Sequence, residues 1–450
     1  MKDTIVAIST SLGVGAISII RVSGEDSIEI VNKITKKHRL CEVESNTINY
    51  DKIVYKNEII DEVLISVIKA PHTYTGENVV EINCHGGIST TNKILQLVLE
   101  VGCRLAKPGE FTERRFLNGK IDLLQAESVM DLLNSKNETT RKMAINQMDG
   151  KVSKLIRDLR QDFIEILANI NVNIDYPEYE DIEEITIQDI KEKIGILEQK
   201  LNKIIIESKN ARVIKEGITT AIIGKPNVGK SSLLNKLIKE DKAIVTDIEG
   251  TTRDIVEGSI DIDGLTLNII DTAGIRNTDD LIESIGVQKS KDLIKRADLV
   301  LYVLNNNEEL TEEDKIIINE LSTRNHIIII NKNDLERKID TSEIKEEYIE
   351  ISVLNDEGIE KLINRIKQLY ELEKFNTQDL TYLTNARGLA ILEQVLLVTN
   401  ELKKSLELNI PIDMIEIDIK KIWNLLGEIT GDTYEDELID QLFSQFCLGK

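Results

Sequence analysis

The stretch at 224–231 has the residue types and spacing of a loop that binds phosphate. It reads Gly-Lys-Pro-Asn-Val-Gly-Lys-Ser and fits the pattern Gly-x-x-x-x-Gly-Lys-Ser. In such a loop the backbone N–H groups surround the α- and β-phosphates of a nucleotide. Lys230 would reach the β- and γ-phosphates as a catalytic cation, and the Ser231 hydroxyl would bind Mg²⁺. The pattern therefore predicts a nucleoside triphosphate site.

A second motif, at 331–334, predicts that the nucleotide is GTP. It reads Asn-Lys-Asn-Asp, and the carboxylate of Asp334 can accept from both the ring N–H and the exocyclic amine of guanine. Adenine lacks this pair of donors. Because a buried carboxylate that is left unpaired costs free energy, the wrong base would bind poorly.

Two further motifs lie between these, in the order that GTPases show. Residues 250–253 read Gly-Thr-Thr-Arg, and Thr252 is the predicted second hydroxyl ligand of Mg²⁺. Residues 271–274 read Asp-Thr-Ala-Gly. Here Asp271 would reach Mg²⁺ through water, and the amide of Gly274 would sense the γ-phosphate. Four motifs in this order favour a GTPase much more strongly than the phosphate loop does alone.

The predicted secondary structure places these motifs at the ends of strands. An apolar, β-branched run at 220–223 ends at the phosphate loop, and 232–238 reads as the helix that the loop opens. The run at 265–270 ends at Asp-Thr-Ala-Gly. Two more apolar runs, 299–304 and 327–330, are typical of fully buried parallel strands.

Composition predicts a multidomain, cytoplasmic protein. The 450 residues amount to about three domains of ~150 residues each, and 41% of them are hydrophobic, which is enough for several cores. No apolar run approaches the ~20 residues of a membrane span, and the N-terminus does not resemble a signal segment. The scattered cysteines are typical of reduced thiols; they are Cys41, Cys84, Cys103 and Cys447.

The net charge of −23 excludes a protein that binds nucleic acid over its whole surface. Any RNA contact must be local or shared with a partner. The segment 136–160 is basic, with seven lysines and arginines against three acids, and 175–184 is acidic. The basic segment is either a solvated helix face or a surface that faces RNA, and the sequence leaves both open.

The periodicity of the sequence predicts a multidomain protein of the α+β and α/β classes. The first 118 residues alternate strand-like runs with Gly-containing turns, which indicates an α+β domain at 1–118. Helical periodicity predicts one discontinuous helical domain from 119–214 and 374–450. A Ras-like P-loop GTPase domain with a mostly parallel sheet, at 215–373, is inserted between these halves.

The sequence lacks the residue that positions water in many GTPases. A glutamine often follows Asp-Thr-Ala-Gly, but here the position is Ile275, which cannot hold a water molecule. Glu283 is a candidate for positioning the water in place of the glutamine. The alternative is that Glu283 is an ordinary solvated acid in a loop. Arg253 and Arg276 are the nearby arginines, and neither is identified as an arginine finger. Positive charge for the transition state would then come from a monovalent cation or a second subunit.

Several motifs outside the GTPase set are more specific than the phosphate loop. They are Ile-Ile-Arg-Val-Ser-Gly at 19–24, Glu-Ile-Asn-Cys-His-Gly-Gly at 81–87, the run from Lys-Pro-Gly-Glu-Phe-Thr to Leu-Leu-Gln-Ala-Glu at 107–127, and Cys-Leu-Gly-Lys at 447–450. With them the chain resembles the MnmE (TrmE) family of tRNA modification GTPases over nearly its full length.

The resemblance implies one-carbon chemistry on tRNA. Members of this family are homodimers that work with the FAD protein MnmG, in a heterotetramer. They install a carboxymethylaminomethyl or aminomethyl group on carbon 5 of the wobble uridine of certain tRNAs. The one-carbon unit comes from 5-formyltetrahydrofolate or a related tetrahydrofolate, bound in the N-terminal domain at a dimer interface. The folate-binding positions map onto Arg21, Glu81, Lys120 and Lys450. Cys447 is either a participant in this chemistry or a small buried thiol.

The resemblance also implies a potassium-activated GTPase. The K⁺ ligands would be Asn227, Thr246, Ile248 and Thr251, and Glu283 matches the water-orienting glutamate of the family. The residues implied to bind GTP are Asn227, Val228, Gly229, Lys230, Ser231, Ser232, Thr246, Asp247, Ile248, Glu249, Gly250, Thr251, Thr252, Asp271, Thr272, Ala273, Gly274, Asn331, Lys332, Asp334 and Ser352.

The sequence departs from the family pattern in two places. The loop at 9–16 has fewer Gly and Pro residues than usual, and the base-contacting Ser-Ala pair appears as Ser352 and Val353. An alternative from another class is a ribosome-assembly or RNA-binding GTPase whose N-terminal domain is only a docking module. The two readings differ on whether that domain binds a folate.

Overall fold

The computed structural model describes most of the chain, in two compact units. The described residues are 3–135, 137–175, 187–240, 256–262, 265–270, 293–322, 324–370, 381–408, 410–433 and 436–449. Unit 1 contains 1–130, 148–185 and 410–450, and unit 2 contains 131–147 and 186–409.

The strands and helices alternate along the chain. The strands are β1 (Ile5–Ile8), β2 (Ile17–Ser23), β3 (Thr47–Tyr55), β4 (Glu58–Ile68), β5 (Val79–His85), β6 (Arg104–Leu105), β7 (Ile218–Ile223), β8 (Val256–Ile262), β9 (Leu265–Ile270), β10 (Leu299–Asn305), β11 (His326–Asn331) and β12 (Tyr348–Glu350). The helices are α1 (Ser27–Asn32), α2 (Ile88–Glu100), α3 (Glu110–Leu117), α4 (Leu123–Leu133), α5 (Glu138–Met148), α6 (Lys151–Asp175), α7 (Ile187–Glu216), α8 (Lys230–Glu240), α9 (Glu312–Leu321), α10 (Ile359–Leu369), α11 (Ala386–Glu407), α12 (Ile412–Thr430) and α13 (Asp436–Phe443), with a short 3₁₀ turn at Thr341–Glu343.

Unit 1 is built on a mixed sheet with the strand order β3-β4-β5-β2-β1-β6. All neighbours are antiparallel except β1 and β6. Side chains alternate across β2 and β5, so that Ile20 and Val22 enter the core while Arg21 lies on the opposite face. Helices α1 and α2 cover the core face. The other face therefore carries the polar residues that the sequence singles out.

The helices of unit 1 bury apolar stripes against each other. Helix α6 packs along α12 through residues that recur every three or four positions. A second cluster joins α3, α4 and α13, with Phe116 and Phe443 in contact at a ring separation of 6.4 Å. Burying each such side chain contributes about 1.5–3 kcal/mol.

Unit 2 contains a second sheet, with the strand order β12-β11-β10-β7-β9-β8. Every neighbouring pair is parallel except β8 and β9. All seven residues of β10 are buried, as expected for a strand with both faces covered. Helix α11 packs on α7 in the same unit. The sheet confirms the α/β class that the apolar runs predict.

The elements agree with the periodicity of the sequence. The four strands predicted at 220–223, 265–270, 299–304 and 327–330 are present as β7, β9, β10 and β11, each within two residues of the expected bounds. The α+β class of the N-terminal region is confirmed as well. The domain boundaries at 118, 214 and 373 stay predictions. None of the helices in the described part of the chain combines the length and apolar character that a membrane crossing needs.

An ion network holds helix α3 in unit 1. The buried carboxylate of Glu110 accepts hydrogen bonds from Arg104 at 2.6 Å, from Arg114 at 3.0 Å and from the backbone N–H of Lys107 at 2.7 Å. Arg114 also pairs with Asp3 at 2.9 Å. Burial raises the pKa of Glu110, but these hydrogen bonds outweigh burial and hold the pKa below its usual value near 4.5.

We expect Glu110→Gln to lower the free energy of unfolding by about 2–3 kcal/mol at pH 7. Because the folded-state pKa is below the unfolded value, the contribution of Glu110 is present above pH ~4.5 and is lost as the pH falls further. Urea unfolding at pH 7 and pH 3.5 should therefore show the variant approaching the parent at the lower pH. Glu42→Gln, at an exposed loop residue, is the control. An equal loss at both pH values would contradict the assignment.

Candidate functional site

The phosphate loop joins β7 to α8 in a conformation that its residue types permit. Gly224, Asn227 and Gly229 have φ values of +150°, +61° and +101°. Asparagine is one of the few residues other than glycine that adopts a positive φ readily. Helix α8 starts at Lys230, so the loop places backbone N–H groups at a helix N-terminus, where anions are favoured.

Gly229 has a second reason to be glycine. A Cβ atom there would lie 2.2 Å from Nδ2 of Asn331. That amide nitrogen donates to the carbonyl of Val228 at 2.8 Å, and Oδ1 of the same side chain accepts from the backbone N–H of Val353 at 3.3 Å. Asn331, which is buried, therefore links the phosphate loop to the segment after β12.

Two lysine side chains donate hydrogen bonds to backbone carbonyls of the phosphate loop. Lys230 Nζ donates to the carbonyls of Gly224 at 2.9 Å and Lys225 at 2.7 Å. Lys332 Nζ donates to the carbonyl of Asn227 at 2.7 Å. The Asn-Lys-Asn-Asp motif thus contacts the phosphate loop through both its first and its second residue.

The predicted base-binding residues are also adjacent. Ser352 Oγ donates to Oδ1 of Asp334 at 2.5 Å and accepts from the backbone N–H of Asn355 at 3.2 Å. Asp334 itself stands in the loop after β11 and is exposed. The hydrogen bond from Ser352 to one carboxylate oxygen restricts the orientation of the Asp334 side chain.

The sequence missed a residue cluster beside this loop. Lys225 forms an ion pair with the buried Asp314 of α9, and Asp314 also accepts from the hydroxyl of Tyr302 at 2.7 Å. Burial raises the pKa of Asp314, but hydrogen bonds from Lys225, from the Thr311 N–H and from Tyr302 lower it below its usual value. The Thr-x-x-Asp spacing at 311–314, a capping box, was the available signal.

The remaining predicted residues of the nucleotide site lie outside the described residues. These are Thr246, Asp247, Ile248, Glu249, Gly250, Thr251, Thr252, Asp271, Thr272, Ala273, Gly274 and Glu283. The structure therefore brings together the phosphate loop, the Asn-Lys-Asn-Asp motif and Ser352. Ser231 and Ser232 stand in the first turn of α8.

A second cluster of predicted residues lies on the open face of the unit 1 sheet. Arg21 and Glu81 are directly opposite each other on β2 and β5, and Arg21 Nε donates to Glu81 Oε1 at 2.8 Å. Both side chains keep about a fifth of their surface exposed, at 20% and 23%. A cation and an anion, both mostly buried, are thus held side by side, and each keeps some exposed surface.

Aromatic residues that the sequence did not single out surround Arg21. The guanidinium carbon of Arg21 lies 5.7 Å from the ring centres of both Tyr74 and Phe111. Arg115 stacks on the same Tyr74 ring at 4.6 Å, and its buried Nε has no hydrogen-bond partner among the described residues. Flat rings and an unused donor suit a flat heterocycle with acceptor atoms.

The Cys-Leu-Gly segment at 447–449 reaches this cluster. The carbonyl of Gly449 accepts from Arg21 Nη1 at 3.4 Å and from Ser9 Oγ at 3.2 Å. A Cβ at Gly449 would be 2.4 Å from the carbonyl of Ile8, and φ is +88°, so only glycine fits. The segment is also tied to α3, because the carbonyl of Cys447 accepts from the N–H of Gly109 at 3.3 Å.

The other candidates at this site are placed differently. Cys447 is exposed, so the alternative of a small buried thiol is wrong. Lys120 is exposed, and its Cε lies 3.0 Å from the Cβ position of Gly76, two residues after Tyr74. No contact joins Lys120 to Arg21 directly among those described. Lys450 lies outside the described residues.

Two arginines of the basic segment at 136–160 are engaged within unit 1. Arg157 pairs with Asp122 at 2.8 Å. Arg160 pairs with Asp432 at 2.5 Å and stacks on Trp423 at 3.9 Å. These contacts hold Arg157 to the residue before α4, and Arg160 to α12 and the turn that follows it. The alternatives of a solvated face and an RNA-facing surface stay open for the rest of the segment.

The parallel sheet, the phosphate loop that opens α8 and the Asn-Lys-Asn-Asp motif at the same edge together define a P-loop GTPase. Comparison with known families narrows this class. A family model described as the GTP-binding protein TrmE N-terminus matches residues 4–120, and one described as the MnmE helical domain matches residues 123–447. The chain belongs to the MnmE family.

Full-length relatives carry the same name. The tRNA modification GTPase MnmE of Streptococcus thermophilus strain CNRZ 1066 is 52% identical over 449 residues, which cover 100% of this chain and 98% of the relative. The proteins of that name from Streptococcus sanguinis strain SK36 and Bacillus mycoides strain KBAB4 are each 51% identical and cover 100% of this chain and 99% of the relative. Among solved structures, the G domain of the T. maritima FeoB iron transporter is 26% identical with a TM-score of 0.25, and the match covers 34% of this chain and 98% of that one.

We expect Gly229→Ala to weaken GTP binding by at least about tenfold, because the new methyl group collides with Asn331 and a positive φ strains alanine by roughly 1–3 kcal/mol. Titration of a fluorescent GTP analogue measures this. Gly195→Ala in α7 is the matched control, since no atom lies within 4 Å of its Cβ position apart from the nearby backbone of the same helix. That control should bind GTP normally and be slightly more stable. Unchanged GTP affinity in Gly229→Ala would show that the loop adopts another conformation when it binds nucleotide.

Proposed function

We propose that this chain is a potassium-activated GTPase that modifies tRNA with a folate one-carbon unit. Together with an FAD protein of the MnmG type it would add a carboxymethylaminomethyl or aminomethyl group to carbon 5 of the wobble uridine of certain tRNAs. GTP hydrolysis would drive the conformational cycle of a cytoplasmic homodimer. The observation that carries the proposal is one chain with a GTPase site and a separate Arg21–Glu81 site that is rich in aromatic residues.

The GTP site is proposed to work through charge and position. Lys230 would leave its two carbonyl partners for the β- and γ-phosphates, which are better acceptors for a cation. Ser231 and Thr252 would supply hydroxyl ligands to Mg²⁺, whose chemistry is to neutralise the charge that develops on the phosphates. Asp334, oriented by Ser352, would bind the donor edge of guanine.

The proposal of potassium dependence starts from position 275, where many GTPases have a water-positioning glutamine and this chain has Ile275. Since Ile275 cannot orient water, Glu283 would do so, and positive charge must come from elsewhere. Asn227, in the described loop, is exposed and precedes the Val228 carbonyl that Asn331 holds. Asn227 would bind K⁺ together with Thr246, Ile248 and Thr251, and the ion would supply the charge of an arginine finger.

The Arg21–Glu81 site is proposed to bind a tetrahydrofolate. Glu81 would accept from the donor edge of the pterin, as Asp334 does from guanine, and the cations Arg21, Lys120 and Lys450 suit an acidic tail. The bound folate would carry the one-carbon unit. Cys447, exposed in the segment that contacts this site, is the candidate residue for covalent chemistry.

Arg21→Ala should abolish saturable binding of 5-formyltetrahydrofolate, because it removes the cation that pairs with Glu81 and contacts the Gly449 carbonyl. Calorimetric titration measures the affinity, and the melting temperature reports whether the variant is folded. Arg39→Ala, at an exposed arginine of the same unit, is the control. A parent protein that shows no saturable binding would support the ribosome-assembly alternative, in which this domain is only a docking module.

We expect GTP turnover to rise by about 100- to 1,000-fold when K⁺ replaces Na⁺ at equal ionic strength, which is the range for one preorganised group that stabilises the charge developing in the transition state. Asn227→Ala should remove most of this difference. Steady-state phosphate release measures it.

Glu283→Ala separates water positioning from binding. The variant should keep the GTP affinity of the parent and lose turnover in both salts. Equal turnover of the parent in Na⁺ and K⁺ would refute potassium activation, and normal turnover in Glu283→Ala would refute the role of that glutamate.

A further inference from the structure

Lys225, the second residue of the phosphate loop, does not point along the loop toward the phosphate position. Its Nζ forms an ion pair with Oδ2 of Asp314 and donates to Oγ1 of Thr311 at 2.7 Å. Both partners lie at the start of α9, 86 and 89 residues later in the chain. The loop is therefore attached to a helix that has no part in the nucleotide motifs.

Asp314 is held from three directions. Oδ1 accepts from the hydroxyl of Tyr302 on β10 at 2.7 Å, and Oδ2 accepts from the N–H and the hydroxyl of Thr311, both at 2.8 Å. Asp314 is 2% exposed and Tyr302 is 1% exposed. Because a buried carboxylate with this many donors has little freedom to move, it is a fixed point of the structure.

Lys225, which the ion pair with Asp314 anchors, also accepts a hydrogen bond from the catalytic lysine, Lys230. Lys230 Nζ donates to the carbonyl of Lys225 at 2.7 Å and to that of Gly224 at 2.9 Å. Gly224 is fixed as well, since a Cβ there would lie 2.3 Å from the carbonyl of Val303 on β10. The position of the Lys230 ammonium therefore depends on two carbonyls, and the ion pair with Asp314 holds the side chain of one of these residues.

We infer that Asp314, supported by Tyr302, is a positioning residue of the GTPase: through Lys225 it fixes the first arm of the phosphate loop and the point from which Lys230 reaches the β- and γ-phosphates. Neither Asp314 nor Tyr302 needs to touch the nucleotide for this. The inference depends on GTP binding by the phosphate loop and not on potassium or one-carbon chemistry. It can therefore fail while those two proposals hold, and those two proposals can fail while it holds.

A purely structural role is the competing explanation, since the same ion pair could serve only to start helix α9. The chain offers a matched comparison on that helix. Lys315 pairs with Glu343 at 3.0 Å, but this pair is solvent-exposed and has no link to the phosphate loop. Removing it should affect stability alone.

The test is a double-mutant cycle on GDP and GTP affinity with Lys225→Met, Asp314→Asn and the double variant. Fluorescent nucleotide titration on the full chain gives the dissociation constants, and the melting temperature is recorded for each protein. We expect each single variant to bind 10- to 50-fold more weakly, and the double variant to bind no more weakly than the worse single one. Lys225→Arg should stay within about threefold of the parent, because it keeps the ion pair.

Additive losses in the cycle, or affinities within twofold of the parent while the melting temperature falls, would overturn the inference. Lys315→Met should leave the affinity unchanged. If Asp314→Asn does not fold, Lys225→Met decides alone, since that side chain is 28% exposed and its loss leaves the loop backbone free to form. Tyr302→Phe should weaken binding less than Lys225→Met, because it removes only the support of Asp314.

Discussion

The nucleotide site depends on one hydrogen bond, which Asn331 donates to the carbonyl of Val228. Asn331 is the last residue of β11 and Val228 lies in the loop after β7, and these two strands are separated in the sheet by β10. Because neighbouring strands lie about 4.8 Å apart, the backbones at the ends of β7 and β11 are too far apart to hydrogen-bond directly to each other. The side chain of Asn331 spans this distance. This hydrogen bond requires a residue without a side chain at Gly229 and an amide at Asn331. The Asn-Lys-Asn-Asp motif and the phosphate loop are therefore joined to each other, and the strand between them, β10, sets the distance that separates them.

Local signals made the framework of unit 2 predictable. A phosphate loop is encoded within eight consecutive residues, and a buried parallel strand such as β10 is encoded in an unbroken apolar run, so both can be read from the sequence. The contact between Lys225 and Asp314 could not be predicted in this way. Lysines and aspartates are common on helix surfaces, and only the sheet order brings this pair together.

The Arg21 site illustrates the same limit in unit 1. The family motifs select Arg21 and Glu81, but the reason they belong together is the antiparallel register of β2 and β5, which sets them opposite each other. Tyr74 and Phe111 carry no spacing signal, because one stands in a loop and the other in a short helix. Their rings lie beside the Arg21 guanidinium only in the folded chain, and a linear sequence does not show this.

The contact between Gly449 and Arg21 has a consequence for biosynthesis. A ribosome that has made the first 120 residues has already synthesised all six strands of the unit 1 sheet, together with Arg21, Glu81 and Tyr74. The carbonyl that Gly449 offers to Arg21 is translated only after all of unit 2. During that interval the nascent chain has the Arg21–Glu81 ion pair but not the hydrogen bond from Arg21 to the Gly449 carbonyl. A product that ends after residue 409 but before Gly449 would contain every residue of unit 2 and still lack the carbonyl that contacts Arg21.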